Sequence, residues 1–158
     1  MALQRPLKYD PTTGEIARFA ADDFINEVDF LTVNNETGVT LVKFTPVYQT
    51  AVANEVAKAH ASALATARVI ALLAEAIADG ASGAALSDGR LTGSTAEWDA
   101  ITGQTGGLTP GSKYYVSPTT AGMLTTTPPT VDGHVLAPVG TAKSATEFEV
   151  SMGTRVVL

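Results

Sequence analysis

Hydrophobic and polar positions divide this chain into three stretches of different texture. From about Leu86 to Leu158, short apolar or β-branched runs alternate with Gly, Pro and Thr punctuation. Lys113-Tyr114-Tyr115-Val116 runs into Ser117-Pro118, and Met123-Leu124-Thr125-Thr126-Thr127 into Pro128-Pro129. His134-Val135-Leu136 follows an Asp132-Gly133 turn, and Phe148 to Met152 and Arg155 to Leu158 are two further runs. Short strands separated by frequent turn signals predict an all-β sandwich or barrel.

The middle, Val39 to Ala85, carries conflicting signals. Val39 to Phe44 and Pro46 to Thr50 read as strands. The alanine-rich run Ala51 to Asp79 has high helix propensity, and Val52, Val56, Ala59, Ala63, Ala67 and Ile70 keep helical spacing. Val69, Ala71, Leu73 and Ile77 also share one parity, which fits a strand. Gly80 serves equally as a helix stop or a turn, so the residues leave both readings open.

The first stretch, Met1 to about Asp29, is polar and interrupted by Pro6, by Asp10-Pro11-Thr12-Thr13-Gly14 and by Asp22-Asp23. Pro presets φ in a turn and Gly tolerates positive φ, so the Asp10 to Gly14 segment reads as a turn. Leu3, Leu7, Ile16, Phe19 and Phe24 are too widely spaced to form a core of their own. This pattern suits an extended arm over residues 1–28, lying along another surface, ahead of a β-domain over 29–158. Fully extended, such an arm would reach about 90 Å at ~3.3 Å per residue.

Composition narrows the function. The 158 residues fit one compact domain with an arm. Although 45% of residues are hydrophobic, much of that is alanine and only 6% are aromatic, so burial between subunits would supplement a thin core. The net charge of -6, with only ten scattered Lys and Arg, argues against direct nucleic-acid binding and against anionic membranes. With no cysteine, disulfides and thiolate metal sites are excluded. Met1 to Tyr9 has no apolar run of the signal-peptide kind, and Val69 to Ala74 is far too short to span a bilayer. The expectation is synthesis in a cytoplasm, which makes the sequon Asn35-Glu36-Thr37 a chance match.

Candidate chemistry is sparse. Gly106-Gly107-Leu108-Thr109-Pro110-Gly111-Ser112-Lys113 resembles a phosphate loop only superficially. Ser precedes Lys, Pro110 lacks a backbone donor, and a β-run follows, so it reads as a turn. His60 and His134 are far apart in sequence, and Asp22-Asp23 and Asp88-Gly89 lack calcium-loop spacing; no metal or other cofactor is expected. Glu75, Glu97 and Asp99 are the carboxylates nearest to candidate acid-base groups, but no Gly-x-Ser-x-Gly nucleophile turn accompanies them. Trp98, in a Thr-Ala-Glu-Trp-Asp turn, reads as a packing residue that plugs a barrel end, with sugar stacking as the alternative.

The order of several weak motifs is more informative than any one of them. Thr95 to Gly103, Gly106 to Gly111, Tyr114 to Ser117, Ala121 to Pro129, Val139 to Ser144 and the final Val156-Val157-Leu158 together resemble a β-domain common in structural proteins of tailed bacteriophages. Those include capsid decoration (cement) proteins, head fibres and tail or baseplate components. Pro46-Val47-Tyr48, Ala57-Lys58-Ala59 and Arg68-Val69-Ile70 through Gly80, Gly83 and Asp88-Gly89 fit the same pattern, and Pro6-Leu7-Lys8 with Thr13 to Ile16 resembles the lead-in arm. Ala71 departs from it, standing where such domains often have Gly.

The resemblance implies an all-β fold, a small β-barrel or sandwich preceded by an extended N-terminal arm. It also implies that Val69 to Ile77 is β, with at most one helical turn near Ser62 to Ala65. A non-enzymatic virion protein is implied, a homo-oligomer and specifically a homotrimer, bound to the outer capsid surface. Its partners would be the major capsid protein and itself, with neither nucleic acid nor membrane. The arm would seat Leu3, Leu7, Ile16 and Phe19 in capsid grooves, and Arg5, Lys8 and Arg18 would pair with capsid carboxylates. A tail, head-fibre or baseplate role is the alternative.

Overall fold

A computed structural model describes residues 30–158 throughout and, ahead of them, the backbone of two short strands, β1 (Leu7–Tyr9) and β2 (Ile16–Arg18). The architecture is all-β, as the turn-rich sequence predicts.

The first body is a closed five-stranded barrel. Its strands are β3 (Phe30–Asn35), β4 (Pro46–Gln49), β5 (Glu55–Lys58), β6 (Val69–Leu73) and β7 (Ala81–Leu86), in the order β3-β5-β4-β6-β7. All neighbours are antiparallel except β3 and β5, which close the barrel in parallel over only Asn34↔Glu55 and Asn35↔Val56. Strand side chains alternate across a sheet. Accordingly Val33, Val47, Val56, Ala71, Leu73 and Ala85 form one buried cluster, joined by Leu41 and Ile77.

The alanine-rich middle is therefore β. Ala59, Ala61, Ala67 and Ala71 are fully buried, so the small side chain is used where neighbouring segments approach closely. One helical turn remains, with the Ala67 N–H donating to the Ala63 carbonyl at 3.0 Å. Tertiary burial has overridden helix propensity here.

Val39 to Phe44 is not the expected strand. Leu41 forms a single bridge to Ile77, and the chain then turns, with Phe44 at a φ of 68°. Leu41 and Phe44 are fully buried core plugs while Val39 and Val42 are exposed, an arrangement that sequence alternation alone cannot tell from a strand.

The second body is an antiparallel sheet in the order β10-β9-β12-β13-β8. Its strands are β8 (Asp88–Thr92), β9 (Lys113–Val116), β10 (Leu124–Thr125), β12 (Pro138–Ala142) and β13 (Glu147–Ser151). A separate pair, β11 (Val135–Leu136) with β14 (Val156–Val157), follows the expected runs, although β10 is shorter than Met123 to Thr127 suggested.

Between β8 and β9 lies one helix, α1 (Thr95–Thr102), where the sequence reading placed a turn. Its start is a capping box. The Ser94 hydroxyl accepts from Glu97 N–H at 3.3 Å, and Glu97 Oε2 accepts from Ser94 N–H at 2.7 Å. Gly103, at a φ of 67°, ends the helix in the left-handed conformation that glycine adopts without a Cβ penalty. Trp98 and Ile101, three residues apart, are its buried face.

The larger core joins the two bodies. Phe44, Leu72 and Leu86 from the barrel share one buried cluster with Trp98 and Ile101 from the helix and Tyr114 and Phe148 from the sheet. The Trp98 and Phe44 rings stack with centroids 3.7 Å apart and planes within 4°, and the indole N–H donates to the Thr146 carbonyl at 3.1 Å. Trp98 is thus packing, as expected, but it seals the contact between barrel and sheet rather than one barrel end. Being fully buried, it offers no platform for a sugar.

Candidate interaction surface

The arm residues divide into two groups. Leu3, Arg5 and Phe19 lie outside the described residues, as do Phe24, Asp22-Asp23 and the Asp10 to Gly14 turn signal. Leu7 and Lys8 fall on β1, and Ile16 and Arg18 on β2. These strands pair antiparallel, bringing Leu7 level with Arg18, Lys8 with Ala17 and Tyr9 with Ile16. That hairpin shortens the reach of a fully extended arm over residues 7–18. Among the described residues it pairs with no strand of the barrel or the sheets.

The positions that suggested chemistry are occupied by structural work. Asp99 accepts from Gly107 N–H at 2.7 Å and from Gly106 N–H at 3.1 Å, so two backbone donors that a phosphate would need are already taken. Tyr114 OH then accepts from Thr109 N–H at 2.9 Å and donates to Gln104 Oε1 at 2.7 Å, which ties down the rest of the 103–113 loop. The stretch is a braced turn, as its Pro and its Ser-Lys order indicate.

Glu75 accepts from Ala84 N–H at 2.9 Å, a tie between the β6–β7 connection and β7. Glu97 has its carboxyl held below the usual range, first by the Ser94 backbone N–H, then by Lys43, whose Nζ lies 3.2 Å away, and by the Ser94 hydroxyl. These contacts cap a helix and anchor the 42–44 turn to it. Asp88 opens β8 on the surface.

His60 Nδ1 meets Ser62 Oγ at 2.9 Å, while His60 Nε2 and His134 Nδ1 are buried without a hydrogen-bond partner. Among the described residues, no group of three or more His, Cys, Asp or Glu side chains is gathered as a metal site would require. Asn35, the sequon asparagine, is fully buried, and its Nδ2 donates to the Val39 and Ile77 carbonyls at 2.8 Å each. A glycan has no access to it.

What the surface does offer is apolar. Val131 is 56% exposed, and Val156, Val157 and Leu158 are 48%, 52% and 41% exposed, all on or beside the β11–β14 pair. The sequence pointed to Val156-Val157-Leu158 as a strand but gave no sign that it faces solvent, because a period-two run looks the same in a core and on an edge. Val42, 48% exposed, lines an apolar notch of about 290 Å³ with Ala96 and Ala100 of α1. A second cleft, of about 350 Å³, runs beside Phe30 to Val33 of β3, where the brief β3–β5 pairing leaves the barrel wall thin.

No family model, curated protein or solved structure matches the chain. Among the described residues, no helix is long and apolar enough to cross a membrane.

Proposed function

We propose that this chain is a capsid decoration (cement) protein of a tailed bacteriophage. It is made in the host cytoplasm and binds the outside of the assembled head as a homo-oligomer. It acts through surfaces and copy number, without catalysis or a cofactor.

The observation that carries this reading is the division of labour along the chain. Residues 30–158 form a braced all-β body whose largest aromatics are buried in its own core. Ahead of them, β1 and β2 pair with each other and, among the described residues, add to no sheet of that body. This supports attachment through the N-terminal segment, with Leu7, Lys8, Ile16 and Arg18 on the hairpin and Leu3, Arg5 and Phe19 flanking it against the major capsid protein. Attachment of this kind stabilises a shell by linkage, since a ligand that binds only the assembled state shifts the equilibrium toward it. Repetition over a symmetric lattice multiplies a modest single-site affinity.

Deleting residues 2–28 and measuring co-sedimentation with particles stripped of the protein tests this. The expected outcome is a chain that keeps its circular dichroism and thermal transition but no longer pellets with heads. Undiminished pelleting would overturn attachment through the N-terminal segment. Binding of the full chain to tails or vertices alone would move the assignment to a fibre or baseplate component.

A further inference from the structure

Among the described residues, the β11–β14 pair has an uncovered edge. In an antiparallel ladder, successive residues of a strand direct their peptide groups alternately toward and away from the partner strand. Leu158 N–H donates to the His134 carbonyl and Gly133 N–H donates to the Leu158 carbonyl, both at 2.9 Å. The register sets Val157 level with Val135 and Val156 level with Leu136. The peptide groups of Val156 and Leu158 therefore face β11, and those of Val157 face away from it. The same alternation holds on β11, where Val135 N–H points away from β14 and donates to the Ala61 carbonyl at 2.8 Å. Ala61 thus covers the far edge of β11, while among the described residues nothing bonds to the Val157 N–H or carbonyl.

Bare strand edges attract further strands, and natural edges are guarded by Lys, Pro, bulges or covering segments. Here the side chains of Val156, Val157 and Leu158 are uncharged and none is Pro, and all three are exposed on that edge, with Val131 exposed in the turn beside them. Side-chain charge is found at the two flanks. Arg155 precedes Val156, and Asp132 sits in the turn that Gly133 ties to Leu158. Two copies related by a two-fold axis at Val157 would set Val156 of each against Leu158 of the other. The same axis brings each Arg155 level with the turn that carries the other copy's Asp132. The patch is therefore self-complementary in both hydrophobicity and charge, which a protein of net charge -6 needs in order to meet its own copy without repulsion.

We propose that β14 pairs antiparallel with β14 of a second copy, making a continuous four-stranded sheet, β11-β14-β14-β11. The contact is isologous, so it closes as a dimer. It assigns two-fold symmetry to self-association where the phage resemblance implies three-fold, and it stands independently of attachment to a shell. The edge alone is smaller than the ~800 Å² per partner of a standard stable interface, so association in solution is weak and concentration-dependent.

The absence of cysteine gives a clean test. In the full chain, Val157→Cys places two thiols at a directly opposed, hydrogen-bonded pair, where Cα separations of about 5.5 Å fall within the disulfide range. Leu64→Cys, 45% exposed in the loop between β5 and β6, is the control. With oxidised glutathione as oxidant, V157C should form disulfide-linked dimers at least about tenfold faster than L64C, because pairing raises the local thiol concentration above bulk. Sedimentation of the parent chain should show dimer growing with concentration, and Val157→Lys should lose it. Equal cross-linking of V157C and L64C, a parent that stays monomeric at every concentration, or an oligomer untouched by V157K would each overturn the proposal. All three are read on free protein, so they do not depend on whether the chain binds capsids.

Discussion

Replacing Gly93 by alanine places a methyl group where the Phe44 ring lies. A Cβ on Gly93 would meet Cε2 and Cζ of Phe44 well inside van der Waals contact, and Glu97 Oε2 at 3.0 Å. The ring cannot move aside. One face is stacked on Trp98 at 3.7 Å, its residue is fully buried, and its backbone is fixed by the Phe44 N–H donating to the Leu73 carbonyl at 2.8 Å. Overpacking of this kind costs about 1–3 kcal/mol. At ~2–4 °C per kcal/mol for a domain of this size, a mid-range cost lowers Tm by about 4–8 °C.

Scanning calorimetry gives the Tm, and the single tryptophan, Trp98, reports the stack by its fluorescence. A double-mutant cycle with Phe44→Leu separates this clash from any general effect of the substitution. Leucine removes the ring atoms that the new methyl would strike, so G93A should cost much less in the F44L background, with a coupling of about 0.5–3 kcal/mol. A Tm unchanged in G93A, or costs that simply add in the double variant, would refute the claim that Gly93, Phe44 and Trp98 form one packed unit between barrel and sheet.

Ser94→Ala should lower stability by about 1 kcal/mol through loss of the helix cap, measured by urea titration. Glu97→Gln keeps a side chain able to complete the box but removes the charge. Because the folded Glu97 carboxyl is held below its ordinary 4.5, its contribution is fully present above that pH and is lost as pH falls through the lowered value. The stability gap between parent and E97Q should therefore be open at neutral pH and narrow steadily below 4.5; a gap that widened on acidification would contradict the assignment. Asn35→Ala should cost about 1–3 kcal/mol in urea titration, because it strips a buried hydrogen bond from the Ile77 carbonyl and a part-buried one from the Val39 carbonyl; a cost near zero would mean these carbonyls are satisfied without it.

Much of the second half of the chain was legible because turn residues bound several of its strands, although β8 and β12 were not among the runs read as strands. Ser117-Pro118 follows β9, and Asp132-Gly133 precedes β11. The helix was not legible from apolar periodicity, since only Trp98 and Ile101 of its eight residues are buried. The signal that would have found it was the Ser94-x-x-Glu97 capping box followed by Gly103, a start and stop that amount to a helix even without an apolar stripe. Phe44 misled for a different reason. It is buried against a tryptophan 54 positions away in sequence, and its φ of 68° breaks the extended run that alternation suggests.

The alanine-rich segment shows the limit of propensity. Ala59, Ala61 and Ala67 favour a helix locally but are fully buried where segments distant in sequence cross: Ala61 N–H donates to the Ser117 carbonyl at 3.0 Å, and the Ala61 carbonyl receives Val135 N–H. Surface function was the least legible part. Nothing in Val156-Val157-Leu158 distinguishes a core strand from an open edge until the register places Val157 outward. Of the arm residues, Leu7, Lys8, Ile16 and Arg18 are brought together by the β1–β2 pairing.

Cryo-electron microscopy of the particle that carries this protein tests the central claim most directly. Decoration predicts all-β density of this size repeated over the capsid lattice, with the N-terminal segment running onto neighbouring capsid subunits. Density confined to the tail or the vertices, or none on the particle, would contradict it.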